Sequence, residues 1–385
     1  MLTLDDTRLL LLADPPEVLP VSTNVIYVTA APYSADASGR SDATKSLQRA
    51  LDDASALANG TVVHLPPGIF VTTGIRIPSH TQLHLEKGAV LRGSERAEDY
   101  AEFPQQPGKT GISSLIRITD AKDVRVSGHG TVDARGFALA GDAATIEDVR
   151  LKARCFTIER SQHIIIEDVI CREATSWTVP FFHCTDVTAR RIKVINDLGP
   201  LEHSDGINMC ATQRGVVEDC LVHTTDDAFC AKGHEGAPTE DLTFRRLIAL
   251  SATRGVKCGL QAYEPMRRIR FEDVDIVRTR DGIDLMHWDG TGAWEDITFK
   301  NIHVENCERR SISATVREAG SICGVRFENI SFAEARPGFL RDKDPQQRIE
   351  GVVFSGLRIA GEPVTTLEAA GITTNKFVSP VTFEK

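Results

Sequence analysis

Two periods organise the hydrophobic positions of this chain, one of two residues and one of about 27. An apolar-x-apolar-x-polar-apolar-x-apolar frame begins at Ile164, Val187, Gly215, Leu242, Ile269, Ile297, Val325 and Val352; Ile269-Arg270-Phe271-Glu272-Asp273-Val274-Asp275-Ile276 is one copy. Successive starts lie 23, 28, 27, 27, 28, 28 and 27 residues apart, with a further copy suggested at Val124. A helical repeat of this length needs two helices with 3.6-residue spacing, whereas alternating β-branched and Phe residues specify strands. Each repeat then buries its inward side chains on the one before. The prediction is all-β: a single-stranded right-handed parallel β-helix of about ten coils. A β-sandwich does not predict self-similarity at constant spacing.

Ahead of the repeats, Ser41-Asp42 open a helical run, Ala43 to Leu57, with Leu47, Ala50, Leu51 and Ala54 on one face and Asn59-Gly60 as its stop. A capping helix over about 42–57 is expected. Thr61–Leu65 follows as a strand ended by Pro66-Pro67-Gly68, then short alternating runs at Ile75–Ile77, Gln82–Leu85 and Val90–Leu91. Residues 1–24 form an extension without an assignable structure, with Val21–Thr29 a candidate strand into the body; residues 25–385 form one domain.

A second strand starts twelve residues after three frames: Asp227-Ala228-Phe229-Cys230 after Gly215, Arg254-Gly255-Val256-Lys257 after Leu242, and Asp281-Gly282-Ile283-Asp284 after Ile269. The preceding copy, Asp205-Gly206-Ile207-Asn208, falls six residues late, which implies a longer turn through 197–203. Same-phase residues on successive coils stack roughly 4.8 Å apart. Asp205 and Asp227 are therefore expected to be neighbours, with Asp226 beside them.

Composition narrows the partners. A formal charge of −10 argues against nucleic acid, whose phosphates need a basic face. No stretch approaches the roughly 18 apolar residues of a membrane-spanning helix. Leu9–Leu12 is apolar but follows Asp5 and Asp6 with no basic n-region, so a cytoplasmic address is expected; a chain whose leader had been removed would look the same. Nine cysteines, none in a CxxC pair, suggest neither a disulfide framework nor a zinc site.

Stacked carboxylates are destabilising, and crowding raises at least one pKa toward the value a general acid needs. Their structural alternative is a cation site. An Asp followed 21 and 22 residues later by Asp-Asp, here Asp205, Asp226 and Asp227, resembles the polygalacturonase-type glycoside hydrolases of family 28. Ser41-Asp42-Ala43-Thr44, Leu65-Pro66-Pro67-Gly68, Glu86–Leu91 and Gly128-His129-Gly130-Thr131-Val132-Asp133 look like other segments of that family, so the likeness spans about 25–360. The resemblance implies inversion at the anomeric carbon, with Asp226 as general acid and Asp205 and Asp227 activating water. It implies a carbohydrate substrate and no metal or organic cofactor. It also implies sugar contacts where turns meet, for which His287, Trp288, Trp294 and Tyr263 are candidates.

Specificity departs from that pattern. The family's Arg-x-Lys clamp for a uronate carboxylate aligns with Asp284 and Met286, its Gly-His-Gly histidine with Arg254, and its Asn with His203. An acid at 284 repels a uronate, so the expected substrate is something other than plain polygalacturonate, neutral or differently decorated. His203, Asn208, Arg254, Lys257, Asp284, His287 and Trp288 make up the candidate substrate-binding set. For Lys257 an ion pair with Asp284 is the alternative, and for His203 a turn residue bonded to backbone. Exo action is expected, as for an enzyme trimming imported oligosaccharides. Two other functions remain open: a polysaccharide lyase, for which Lys257 and Arg254 are the only basic residues in phase, and a non-catalytic glycan-binding β-helix.

Overall fold

The computed structural model describes residues 2–4, 7–9, 13–20, 22, 24–57, 60–106, 108–196, 199, 201–342 and 348–384. Apart from two short antiparallel pairs, Leu2–Leu4 with Thr7–Leu9 and Arg358–Ile359 with Glu362–Pro363, the strands pair in parallel in one coil. Twelve parallel pairings join thirteen stacked positions, from Val25 through Arg125, Ile165 and Thr298 to Thr382. The repeat is therefore longer than about ten coils, because the irregular N-terminal runs and the C-terminal Thr382–Glu384 strand stack in the same register. Every spacing in the sequence frames is a register here: Val187 pairs with Ile164 and Gly215, Ile297 with Ile269 and Val325. The molecule is a right-handed parallel β-helix, the hand that parallel crossovers take.

Inward positions pack by like on like. Phe244, Phe271, Phe299, Phe327, Phe354 and Phe383 stack ring on ring at 4.5–5.3 Å, and each aromatic pair adds about 0.5–1.5 kcal/mol beyond area burial. On the outer face the residue after Val217, Phe244, Phe271, Phe299 and Phe327 alternates in sign: Glu218, Arg245, Glu272, Lys300 and Glu328 occupy one column. The next residue in the frame takes a left-handed conformation, φ 56° at Asp219, 57° at Asp273 and 51° at Asn301. That turn is why the frame holds Asp or Asn there. Where it holds Arg, as at Arg191 and Arg246, the guanidinium is bidentate to the Asp one coil below, Asp168 and Asp219.

The helix Thr44–Leu57 closes the N-terminal end. Asp42 accepts the Thr44 amide at 2.9 Å, and Leu47, Ala50, Leu51 and Ala54 enter the common core. Asn59, its expected stop, lies outside the described residues. The coil between Val124 and Ile164 carries an insert with a helix, Gly136–Ala140, and a 3-10 turn, Ile146–Asp148. Ile146 and Val149 pack on Leu201, two residues ahead of His203. The insert thus braces the turn that delivers Asp205.

Candidate active site

Strands Ile207–Cys210, Phe229–Gly233 and Arg254–Ala262 and the adjoining coils send alternate side chains inward and outward. Ile207, Met209, Phe229, Ala231, Val256 and Cys258 enter the core. The outward positions form columns: Asn208, Cys230, Lys257, Asp284, Ser313 and Phe339 in one, Cys210 with Lys232 in the next. At the strand entries Gly206 and Ala228 donate to the carbonyls of Asp227 and Arg254 one coil on. Asp205, Asp227 and Arg254 therefore share a column, which continues to Asp281 and Arg310. Gly206 makes the approach possible, since a Cβ there would lie 2.4 Å from the Ala228 carbonyl oxygen.

Three carboxylates converge at these entries. Asp205 is 1% exposed and Asp227 2%, while Asp226 is half-buried. Asp226 accepts the His203 amide at 3.0 Å on Oδ2, and its own neighbour's amide (Asp227, 2.9 Å) and the Thr253 hydroxyl (2.9 Å) on Oδ1. Thr253 also lies 2.8 Å from Asp227, tying the pair together. Lys257 Nζ sits 2.6 Å from Asp227 Oδ2 and Arg254 3.3 Å from Oδ1. Lys232 Nζ sits 3.1 Å from Asp205 Oδ2.

The two buried carboxyls are set in opposite directions. Burial pushes Asp205 up to about 7, helped by the charges of Asp226 and Asp227 and opposed by Lys232. Burial also works to raise Asp227, but Lys257, Arg254 and Lys232 together outweigh it and hold that carboxyl below the usual carboxylate range. One group is thereby fixed as an anion, and its neighbour titrates near neutrality.

Among the described residues, Asp205, Asp227 and Cys230 bring metal-type donor atoms within 4.8 Å of one another. The donor set fits a cation poorly. Lys232 and Lys257 already neutralise both carboxylates, burial pushes the Cys230 thiol well up, and a hard cation wants roughly six or more oxygens.

The model of the glycosyl hydrolases family 28 matches residues 76–334, most of the chain. The chain belongs to this family. A polygalacturonase from Gossypium barbadense is 21% identical over 383 residues, covering 93% of this chain and 89% of that protein. A probable polygalacturonase from Vitis vinifera is 25% identical over 293 residues, 70% of this chain; the match spans 58% of that longer relative. The polygalacturonase of Erwinia carotovora ssp. carotovora superposes with a TM-score of 0.71 at 17% identity, covering 97% of this chain and 99% of that one. The protein is thus a glycosidase with a carbohydrate substrate, on the right-handed β-helix of family 28.

Several expected contacts sit elsewhere in the family 28 enzyme. Lys257 pairs with Asp227 and not with Asp284, because its four-carbon stem reaches diagonally across the columns. Asp284 instead takes Arg254 at 3.0 Å and the Ser313 hydroxyl at 2.8 Å, and burial raises its carboxyl. His287 is 0% exposed and bonds the Gly292 carbonyl at 2.6 Å, so it is a core histidine and no sugar contact. It shares the inward parity of Ile283 and Leu285. Trp294 is likewise in the core. Asn208 is 0% exposed, its amide without a hydrogen-bond partner among the described residues, which places it beneath the floor. At His203 it is the backbone amide that meets Asp226; the half-exposed imidazole lies 3.9 Å from Glu147 of the insert. Trp288 stays in the cleft, with the Arg317 guanidinium 3.3 Å from its ring centroid.

Lys232 and Thr253 complete the carboxylate network, and sequence reasoning missed both. Lys232 is thus a third basic residue in phase, beside Lys257 and Arg254. Beyond Asp205 a second group was also missed: Trp177 stacks on Phe182 at 5.7 Å, the Lys232 ammonium lies 4.0 Å from the Trp177 ring, and Arg154 lies over both rings. Counting outward positions from Asp205 and Asp227 would have found Lys232 opposite Cys210.

Proposed function

We propose that the protein is an inverting O-glycoside hydrolase in which Asp226 protonates the leaving oxygen while Asp205 and Asp227 activate the attacking water. The observation that carries this is the opposed setting of the carboxylates. Asp227, anchored by Lys257 and Arg254, stays ionised and can take up the water's developing charge. Asp205 is positioned one coil away to share the proton. Asp226, less covered than either, is the carboxyl that a substrate oxygen reaches. No cofactor is needed for this proton traffic. A lyase reading is weaker, because Lys232, Lys257 and Arg254 are each committed to a carboxylate and none is free to act as base.

The relatives named above are polygalacturonases, but Asp284 and Met286 occupy the positions of that clamp, so the substrate is other than plain polygalacturonate. The insert packed on Leu201 lies at one end of the site, next to the turn before Asp205. Such a wall suits exo action on a chain end, with Trp177 and Phe182 as an aromatic platform for the terminal sugar. A panel of neutral and acidic oligosaccharides tests the whole reading, with product length followed by chromatography and the new anomer by NMR. Single sugars released with inverted configuration are expected. Release of an unsaturated product absorbing in the ultraviolet, or retention of configuration, would overturn it.

A further inference from the structure

The groove does not end at the aspartates. On the C-terminal side it opens into a cleft of about 560 Å³ whose lining includes Arg254, Arg309, Arg310, Arg317 and Arg341, in a chain of net charge −10. Some of these guanidinium groups are spoken for: Arg254 serves Asp227 and Asp284, and Arg309 is bidentate to Asp281. Arg310 and Arg341 differ. Among the described residues neither has a carboxylate within ion-pair distance; Arg341 makes one bond to the Thr373 hydroxyl at 3.2 Å. Both lie over the ring of Phe339, at 4.9 and 4.8 Å from its centroid. Stacking on an aromatic face fixes a guanidinium plane while leaving its N–H edge open to a planar or tetrahedral acid.

We infer that Arg310 and Arg341, carried on Phe339, form a distal subsite for an acidic group of the substrate, a carboxylate or a sulfate ester. Arg310 stands in the column of Asp205 and Asp227, three coils past Asp227, which is roughly 14 Å along the groove. The acidic group therefore belongs to a sugar a few residues from the scissile bond, not to the one being cleaved. Asp284 and Met286 line the nearer part of the same cleft, Asp284 one coil before Ser313 and two before Phe339, so the subsite lies beyond the positions of the family's clamp. It also makes the enzyme selective for a polymer that is acidic at a distance from the cut. The inference rests on the hydrolase reading for its register along the groove, but binding tests it without turnover.

The test uses Asp226→Asn protein, so that probes survive, and measures dissociation constants by calorimetry for three tetrasaccharides: a galacturonate oligomer, its carboxyl-reduced neutral counterpart, and a sulfated galactan. At least one acidic probe is expected to bind tenfold or more tighter than the neutral one, the loss expected for one charge-assisted hydrogen bond. Raised salt should shrink that preference. Adding Arg310→Gln and Arg341→Gln should abolish it while leaving neutral binding and the thermal midpoint unchanged. The preferred acid names the substituent. Equal binding of acidic and neutral probes, binding of none of them, or a preference that survives both substitutions overturns the subsite. Acid-selective binding in a protein that hydrolyses nothing would sink the catalytic reading and leave the subsite standing.

Discussion

Two stacks of side chains in this β-helix obey opposite rules. Along the outer column Glu218, Arg245, Glu272, Lys300 and Glu328, each charge meets its opposite one coil away, and along Phe244 to Phe383 each ring meets a ring. In the column of Asp205 and Asp227, like meets like where repulsion is the result. The first kind of stack satisfies itself. The second survives because lysines from neighbouring columns, Lys232 and Lys257, reach across to it. The difference separates a column that builds the solenoid from one that holds a reactive charge pattern at the cost of outside support.

Removing that support should be the most damaging change to stability. Lys257→Met leaves Asp227 buried without its nearest cation and is expected to destabilise the fold by about 3–5 kcal/mol, read as a lowered denaturation midpoint; a loss under about 1 kcal/mol would mean that Arg254 alone carries the charge. In the self-satisfied stack, Phe299→Leu interrupts two ring contacts and should cost about 1–3 kcal/mol with kcat unchanged. A kcat that fell with it would tie the ladder to the site.

The pH profile gives a finer probe. Burial pushes Asp205 up to about 7, and in the proposed mechanism it must be ionised to help activate water, so activity should fall as pH drops through about 7. Lys232 favours the ionised form. Lys232→Met should therefore move that limb to higher pH by about one unit, and a downward shift would reverse the assignment. The smallest effect belongs to the outer ladder: Arg245 is about half exposed, and Arg245→Ala should change stability by about 1 kcal/mol or less, fading as salt rises.

The regular half of the molecule was legible because a β-helix writes its register into spacing. The frame starts at Ile164 through Val325 are the paired residues themselves, the last frame pairs from Val353, and the twelve-residue offset stacks Asp227 on the column of Arg254 and Asp281. The stacking of Asp205 next to Asp227 followed from the same count. Partner choice did not. Column adjacency pointed Lys257 at Asp284, yet long flexible side chains pair across diagonals, which a one-dimensional count does not carry. Parity would have moved His287 to the core with Ile283 and Leu285 and left Trp288 outside. The arginine cleft was hidden for another reason: Arg310 and Arg317 come from the strand Cys307–Val316 and its exit, and Arg341 from Gly338–Asp342 one coil on, so they converge only once the coils are stacked.

The central claim is that Asp226 gives its proton to the leaving oxygen while Asp205 and Asp227 work on the water. It is tested most directly by leaving-group rescue, using a dinitrophenyl glycoside of the sugar that the enzyme releases alongside the natural oligosaccharide. Asp226→Asn should cost about 10²–10⁴-fold in kcat on the oligosaccharide and little on the aryl glycoside, which departs without a proton, whereas Asp227→Asn should fail on both. An Asp226→Asn enzyme equally slow on both substrates, or one that keeps its rate on the oligosaccharide, would contradict the account.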